Sequence, residues 1–287
     1  MAMQLLVPGP RDARSCGACP DRPLPTGMGF ALRSDPVSIV PMNRPRVVFL
    51  TRDSLYSRDF LSTFLEAHPS EMELVGIILS SRAGGRGGSL VTDAWRWSRT
   101  VGVRYSAYMA WVALVAPLLL RAAPSPATLA RSAGIPLLRA ADVNAPGTHL
   151  WLRERSPDVM VSAHFNQWVA PETLDLARVV CLNIHPGPLP AYRGVDPVHF
   201  ALRAGEDELG VTLHVMAEEI DGGDIVAQRR RSVLPGGRIP NNRRLYREGG
   251  EMAAGVLASL DTALLRRRPQ PQEGRSYFGW DRIRPRG

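Results

Sequence analysis

The chain has 287 residues, 45% hydrophobic and 22% charged, enough apolar material for one large domain or two small ones. All 35 basic residues are arginine, which excludes lysine chemistry: no Schiff base, no pyridoxal anchor and no phosphate-loop lysine. The net charge of +8 is local, because residues 229–287 hold 14 Arg against 5 acids; this argues against a wholly basic nucleic-acid binder and for a basic tail on a near-neutral body.

Residues 1–45 contain eight prolines and no apolar periodicity. They lack a charged start followed by an apolar run, so they read as a disordered extension, or as a start placed too early, with Met42 directly before the first strand. Cys16, Cys19 and Cys181 are too few for a disulfide framework. The Cys16–Cys19 spacing has no second pair to complete a metal site, so no metal is expected, and the chain reads as cytoplasmic.

From residue 46 onward strand and helix signals alternate. Arg46–Leu50 is a short apolar run, Asp59–Leu65 has helical spacing, and Leu74–Leu79 is a second buried strand closed by the Gly-rich run 84–88. Tyr105–Leu120 carries no charge, but it is shorter than a bilayer span and Pro117 interrupts it. A buried or interface-facing helix is expected there, within an apolar insertion at about 89–134 that could form a pocket wall or a homodimer contact. Asp158–Ser162 and Val179–Ile184 are further continuous apolar strands. Buried runs separated by helices predict an α/β fold, a mostly parallel sheet with helices on both faces. After Pro240 one amphipathic helix is expected, Leu245 to Leu265, ended by Arg266–Arg268, Pro269 and Pro271.

The chemistry concentrates where the Val179–Ile184 strand runs into a loop dense in proline and glycine. Asn183 and His185, two apart on extended chain, point the same way at the strand's C-terminal edge, where ligands sit in open parallel sheets. Downstream, Gly210–Met216 alternates, with Thr212 and His214 on one face, and then Glu218–Asp224 forms an acidic loop in which Asp221 precedes two glycines. Asn, His and Asp together suit acyl transfer without a protein nucleophile. His68, His149, His164 and His199 have no metal-ligand spacing and receive no role.

The segment Asn183-Ile184-His185-Pro186-Gly187-x-Leu189-Pro190-x-Tyr192-Arg193-Gly194, followed 36 residues after His185 by Asp221-Gly222-Gly223-Asp224, resembles the 10-formyltetrahydrofolate-dependent formyltransferases. The resemblance covers roughly residues 46–235. It implies a Rossmann-like formyltransferase fold and 10-formyltetrahydrofolate as formyl donor, and it sets Asn183, His185 and Asp221 on the family's catalytic positions. Phe165, Asn166, Gln167, Trp168 and Val169, and Ala217, Glu218, Glu219 and Ile220, fall on the segments that grip the pteridine ring. In the implied mechanism Asn183 and a protonated His185 steady the formyl oxygen, while Asp221 keeps His185 charged and takes the amine proton.

The departures from the family concern the acceptor. Leu50-Thr51-Arg52-Asp53-Ser54 lacks the glycines with which the purine-pathway enzyme wraps a phosphate. The 50 or so residues after 235 are too few for the C-terminal barrel of the tRNA enzyme. The expected organisation is an extension (1–45), a catalytic domain (46–235), and a C-terminal helix with an Arg-rich tail (236–287). The expected activity is formylation of a primary amine on a small molecule of specialised metabolism: an amino sugar, an amino acid or a peptide intermediate. The alternatives are a methionyl-tRNA formyltransferase-like enzyme, for which the basic tail keeps nucleic acid open as a partner, and a formyltetrahydrofolate hydrolase.

Overall fold

Apolar runs without alternation belong in a sheet covered on both sides. The structure, a computed structural model describing residues 44–67, 70–81, 98–120 and 122–283, places them there. The Cys16–Cys19 pair, His68, the Gly-rich run 84–88, residues 89–97 of the expected insertion and the last four residues lie outside the described residues. Strands β1 (Arg46–Thr51), β2 (Glu73–Ser80), β3 (Leu137–Ala140), β4 (Val159–Ala163) and β5 (Val180–His185) are parallel. A two-residue β6 (Arg193–Gly194) stands apart, and β7 (Glu208–Val215) and β8 (Ile225–Ser232) extend the main sheet antiparallel. The order is β3-β2-β1-β4-β5-β7-β8, so the sheet is mostly parallel, as expected.

The helices are α1 (Leu55–Ala67), α2 (Val103–Ala110), α3 (Ala116–Leu119), α4 (Pro126–Ser132), α5 (Pro146–Arg155), α6 (Pro171–Leu174), α7 (Pro197–Ala204), α8 (Arg238–Ala258) and α9 (Leu260–Leu265). Ser54 starts α1 by accepting from the Ser57 N–H, as a serine cap does. One face of the sheet, including Phe49, Val161, Ile184, Val211 and Leu213, is buried against Phe60 and Phe64 of α1 and Leu245, Ala253 and Leu257 of α8. The other face, Val48, Leu50, Ile78, Met160 and Cys181, is packed with Leu152 of α5 and Leu174 of α6. Among the described residues that second cluster takes no member from β7 or β8. On this uncovered half the paired positions are polar: Asn183 opposite His214, and His185, Thr212 and Gln228 in one row.

The two long helices are clasped by charge. Asp59, buried on α1, accepts from Arg243 Nε at 2.7 Å and Nη2 at 3.0 Å, and from Arg247 Nη2 at 2.9 Å. Removing one partner of such a buried pair strands the other charge.

The C-terminal region differs from the expectation in three ways. The helix begins at Arg238, with Pro240 tolerated in its first turn, and it breaks at Ser259 into α8 and α9. The chain then returns as an extended strap whose β9 (Tyr277–Phe278) pairs with β6. Several of the basic residues are also paired within the fold: Arg229 with Glu251, Arg231 with Glu248, Arg238 with Asp196 and Arg267 with Asp224.

The uncharged stretch Tyr105–Leu120 is helical, but it is buried on one side alone. Tyr105, Val112, Ala116 and Pro117 face inward, whereas Leu114, Leu118 and Leu119 are exposed. Between α2 and α3 the helix widens to a π-turn at Trp111–Val115, where Ala116 N–H reaches back five residues to Trp111 O. Pro117 lacks an N–H for the Ala113 carbonyl, which favours this wider turn. No helix among the described residues is long and apolar enough to cross a membrane.

A Cβ on Gly250 of α8 would sit 2.7 Å from Phe60 O and 3.0 Å from Phe64 N, both backbone atoms of α1, whereas one on Gly255 of the same helix would meet open space. Gly250→Ala should therefore lower stability by about 1–3 kcal/mol. Gly255→Ala should be neutral or raise it by up to about 1 kcal/mol. Urea unfolding of the two variants side by side checks both; equal midpoints would refute the close α1–α8 approach.

Candidate active site on the uncovered half of the sheet

The polar row on β5, β7 and β8 first pins the loop that follows β5. Thr212 Oγ1 donates to Gly187 O at 2.7 Å and accepts from Leu189 N at 3.2 Å. Gln228 Nε2 donates to Leu189 O at 2.8 Å and to Thr212 Oγ1 at 2.9 Å. The Leu189–Pro190 peptide is cis. The C-terminal strap closes the far side of the loop: Ser276 Oγ accepts from Tyr192 N at 2.8 Å, and Phe278 stacks on Tyr192 and Phe200. At Gly194, φ is +93° and a side chain would collide with Phe278 O, so glycine is required where β6 meets β9.

Asn183, His185 and Asp221, expected together from the sequence, come together. Asp221 sits at φ +51° and its carboxylate faces four nitrogens. Gly194 N–H reaches Oδ2 at 2.8 Å and Asn183 Nδ2 reaches Oδ1 at 3.4 Å. His185 Nδ1 lies 3.5 Å from Oδ2, and His214 Nε2 lies 3.5 Å from Oδ1. The loop bearing Asp221 is fixed by side chains from elsewhere. Arg193 donates to Ile220 O through Nε and Nη2 and pairs with Glu219 at 2.9 Å. Gln270, in the strap, donates to Asp221 O at 2.7 Å and Gly223 O at 2.8 Å.

The hydrogen bonds constrain the ring protons. Val215 O can only accept, so His214 Nδ1 carries hydrogen, and its Nε2 lies 3.1 Å from Asn183 Nδ2. By the same logic His185 Nε2–H donates to Tyr192 O at 2.8 Å. Burial pushes Asp221 upward, but the His185 ring, the hydrogen bond and charge of His214, and the Gly194 N–H outweigh it and hold the carboxyl well below its usual range. For His185 the balance runs the other way. Burial lowers it more than Asp221 raises it, with His214 and Arg193 adding to the lowering, so it lies below the ordinary imidazole value. The imidazolium expected from the carboxylate neighbour is thus not the resting state; desolvation wins over the ion pair.

The residues expected around a pteridine divide into two kinds. Trp168 is 41% exposed, Asn166 is exposed and Phe165 is partly buried against the second core cluster. Gln167 is spent on the fold: Oε1 accepts from Val143 N at 2.8 Å, and Nε2 donates to Ser80 Oγ at 2.8 Å and Ala140 O at 3.0 Å, which ties the ends of β2 and β3 to the loop after β4. Val169 lies in the core. Ala217, Glu218 and Glu219 are exposed and Ile220 is half-buried. Sequence alone leaves His214 undecided and gives Arg193 and Gln270 no role. Alternation does place His214 on the face of Thr212, but no local pattern announces Gln270, 49 residues from Asp221 in the chain.

Residues 120–248 match the family model described as formyl transferase. The methionyl-tRNA formyltransferase of a Thermus thermophilus strain is 38% identical over 161 residues, covering 55% of this chain and 52% of that protein. The chain thus spans about half the length of the curated relatives it matches. Among solved structures, glycinamide ribonucleotide transformylase 1 from Symbiobacterium toebii is similar at TM-score 0.53 and 19% identity, covering 78% of this chain and 90% of that one. A sugar N-formyltransferase from a Shewanella species is similar at TM-score 0.50 and 20% identity, covering 82% and 76%. Asn183, His185 and Asp221 all lie within the residues 120–248 that match the formyl transferase model.

Proposed function

We propose that the chain transfers a formyl group from 10-formyltetrahydrofolate to the primary amine of a small-molecule acceptor. The observation that carries this reading is the buried, ionised Asp221 within 3.5 Å of both the Asn183 amide and the His185 ring. A hydrogen-bond donor for a developing oxyanion and an acceptor for a departing proton thus converge in one small volume. A flat pteridine needs a stacking surface and exposed peptide edges. The Trp168 indole and the exposed residues 217–219 have that chemistry, whereas Gln167 and Val169 shape the loop from beneath.

The amine nitrogen bonds to the formyl carbon and pushes charge onto the formyl oxygen, which Asn183 Nδ2 stabilises. The proton shed by that nitrogen passes to the Asp221–His185 pair, directly or through water, where Nδ1 offers a lone pair facing the carboxylate. His185 becomes the cation at that moment, and Asp221 then stabilises it. The C–N10 bond breaks and the proton goes to N10, leaving the N-formylated acceptor and tetrahydrofolate. A small acceptor is supported over tRNA because six of the fourteen arginines of the basic region, Arg229, Arg231, Arg238, Arg243, Arg247 and Arg267, already meet carboxylates within the fold, which leaves fewer of them for phosphates. An amino sugar, an amino acid or a peptide intermediate all fit this reading.

The test is release of tetrahydrofolate from 10-formyltetrahydrofolate with and without a panel of amines. Amine-dependent release should fall about 10²–10³-fold in Asn183→Ala; a loss below tenfold would sink the role given to Asn183. Release without any amine would make water the acceptor, and release with aminoacyl-tRNA alone would make the tRNA reading correct.

The charge states give a second test. His185 should titrate below 6.5 in imidazole NMR spectra of the free protein, and Asp221→Asn should lower it further by removing the raising influence. Because its folded value is depressed, kcat/KM should hold near neutrality and fall as pH drops through the His185 value. The stability contributions of His185 and Asp221 should fade in the same direction, beginning below about pH 6.5 and pH 4. A midpoint above 6.5 would mean that the ion pair, rather than burial, controls the ring.

A further inference from the structure

The helical stretch from Val103 to Leu119 turns two unlike sides to its surroundings. Its inward side is pinned by direct contacts. Tyr105 Oη donates to Asp196 Oδ2 at 3.0 Å, the Tyr108 and Tyr56 hydroxyls lie 2.6 Å apart, and the Arg238 guanidinium stands 3.6 Å from the centre of the Tyr108 ring. Val112 and Ala116 join the core that α1 and α8 share. These ties fix which residues look outward. Val103, Leu114, Leu118 and Leu119 are 73%, 70%, 77% and 68% exposed, and Ala107 and Ala110, spaced between them at helical intervals, are exposed as well. A single exposed leucine needs no explanation, but an apolar stripe along one side of a helix does.

The charge around the stripe narrows what can cover it. Residues 94–141 hold six Arg and neither Asp nor Glu, so this one segment carries +6 where the whole chain carries +8. Among the described residues Arg104, Arg131 and Arg139 are exposed, and their guanidinium groups meet no carboxylate. They differ in this from Arg229, Arg231, Arg238 and Arg267, which are paired. Apolar side chains on a helix set among unpaired cations suit a helix lying in the surface of an anionic bilayer. The stretch is too short to cross one. The same charge weighs against a second copy as the occupant. A two-fold contact sets a patch against itself, which would bring two acid-free, Arg-rich segments together.

We infer that the outward side of Val103–Leu119 docks on an anionic lipid surface, with Leu114, Leu118 and Leu119 entering the boundary between headgroups and acyl chains and Arg104 meeting lipid phosphate. The helix takes the candidate active site to that surface, because Asp196, which Tyr105 holds, lies two residues from Gly194, whose N–H holds Asp221. The docking itself does not depend on the formyl-transfer reading.

The full chain is sedimented with vesicles of equal parts phosphatidylglycerol and phosphatidylcholine, and with vesicles of phosphatidylcholine alone. The wild type should pellet with the anionic vesicles, bind the neutral ones at least about tenfold more weakly, and be released as salt is raised. Replacing both Leu118→Gln and Leu119→Gln should weaken binding at least about tenfold. Arg104→Gln should weaken it about fivefold, the worth of one cation near such a surface. Leu150→Gln, which changes an exposed leucine on α5, should leave binding as it is. Thermal midpoints should match across the set, since every altered side chain is exposed. Failure of the wild type to pellet with anionic vesicles, binding that the double variant retains, or an equal loss in Leu150→Gln would each overturn the inference. Sedimentation velocity without lipid tests the second copy: a wild-type dimer that the double variant splits would give this face to self-association instead.

Discussion

A carboxylate ionised in a nearly closed site has to be surrounded by donors, and Asp221 imposes that requirement on everything near it. Isolated burial of such a charge costs several kcal/mol, so each donor facing it is also a structural tie. Gly194 N–H draws in the loop after β5 and the Asn183 amide draws in β5 itself, while the His185 and His214 rings close round the carboxylate from β5 and β7. The loop that carries Asp221 could not hold φ +51° unaided, and Arg193 and Gln270 clamp its carbonyls. The C-terminal strap that supplies Gln270 also supplies Ser276 and Phe278 to the loop after β5, so one segment braces both walls. Acid therefore threatens the architecture and the chemistry together, because protonating Asp221 removes the reason for these ties.

The absence of lysine shapes the rest of the electrostatics. Every cation is a fork that stays charged, which suits multidentate pairing such as that of Asp59 with Arg243 and Arg247. A positive excess of nine over residues 229–287 looks like a binding tail in composition, yet in three dimensions part of it faces Asp59, Asp196 and Asp224 from elsewhere in the chain. Exposed pairs of this kind contribute little stability each; the partly buried ones fix which helix meets which. Local charge composition is a poor guide to partners when the opposite charges sit far away in the chain, as Asp59 does from Arg243.

The same distinction explains what could be read in advance. β1, β2, β4, β5 and β7 were legible because burial on both faces writes itself as continuous or alternating apolar residues. β3 and β8 were not, since both are edges. Leu137–Ala140 is short and half-buried, and Ile225–Ser232 carries three arginines, the charged dressing that keeps an edge from pairing with another chain. Pro240 masked the true start of α8, because proline reads as a boundary whether it precedes a helix or sits in its first turn. At the site, Asn183, His185 and Asp221 were legible from types and spacing. The charge on His185 was not, because it depends on a contest between desolvation and one carboxylate that spacing alone cannot settle. Gln167 shows a related limit: an amide beside a ligand and an amide latching three strand ends look the same in sequence.

Strain and polarity are gathered where the helices stop. Of the five non-glycine residues with positive φ among those described, Ser156 ends α5, while His164, Tyr192, Asp196 and Asp221 lie on the C-terminal strand edge or the loops that fold over it. Each such residue costs on the order of 1–3 kcal/mol, a load set against the apolar packing of α1 and α8 on the sheet. Had a helix covered the β5–β7–β8 half of the second face as α5 and α6 cover the first half, Asn183, His185 and Thr212 would have had to be apolar. A loop in its place lets polar side chains enter the sheet, provided that other loops satisfy them. The fold thus separates two tasks across one sheet: one face is closed and supplies stability, and the open half of the other converts part of that stability into a fixed arrangement of donors and acceptors.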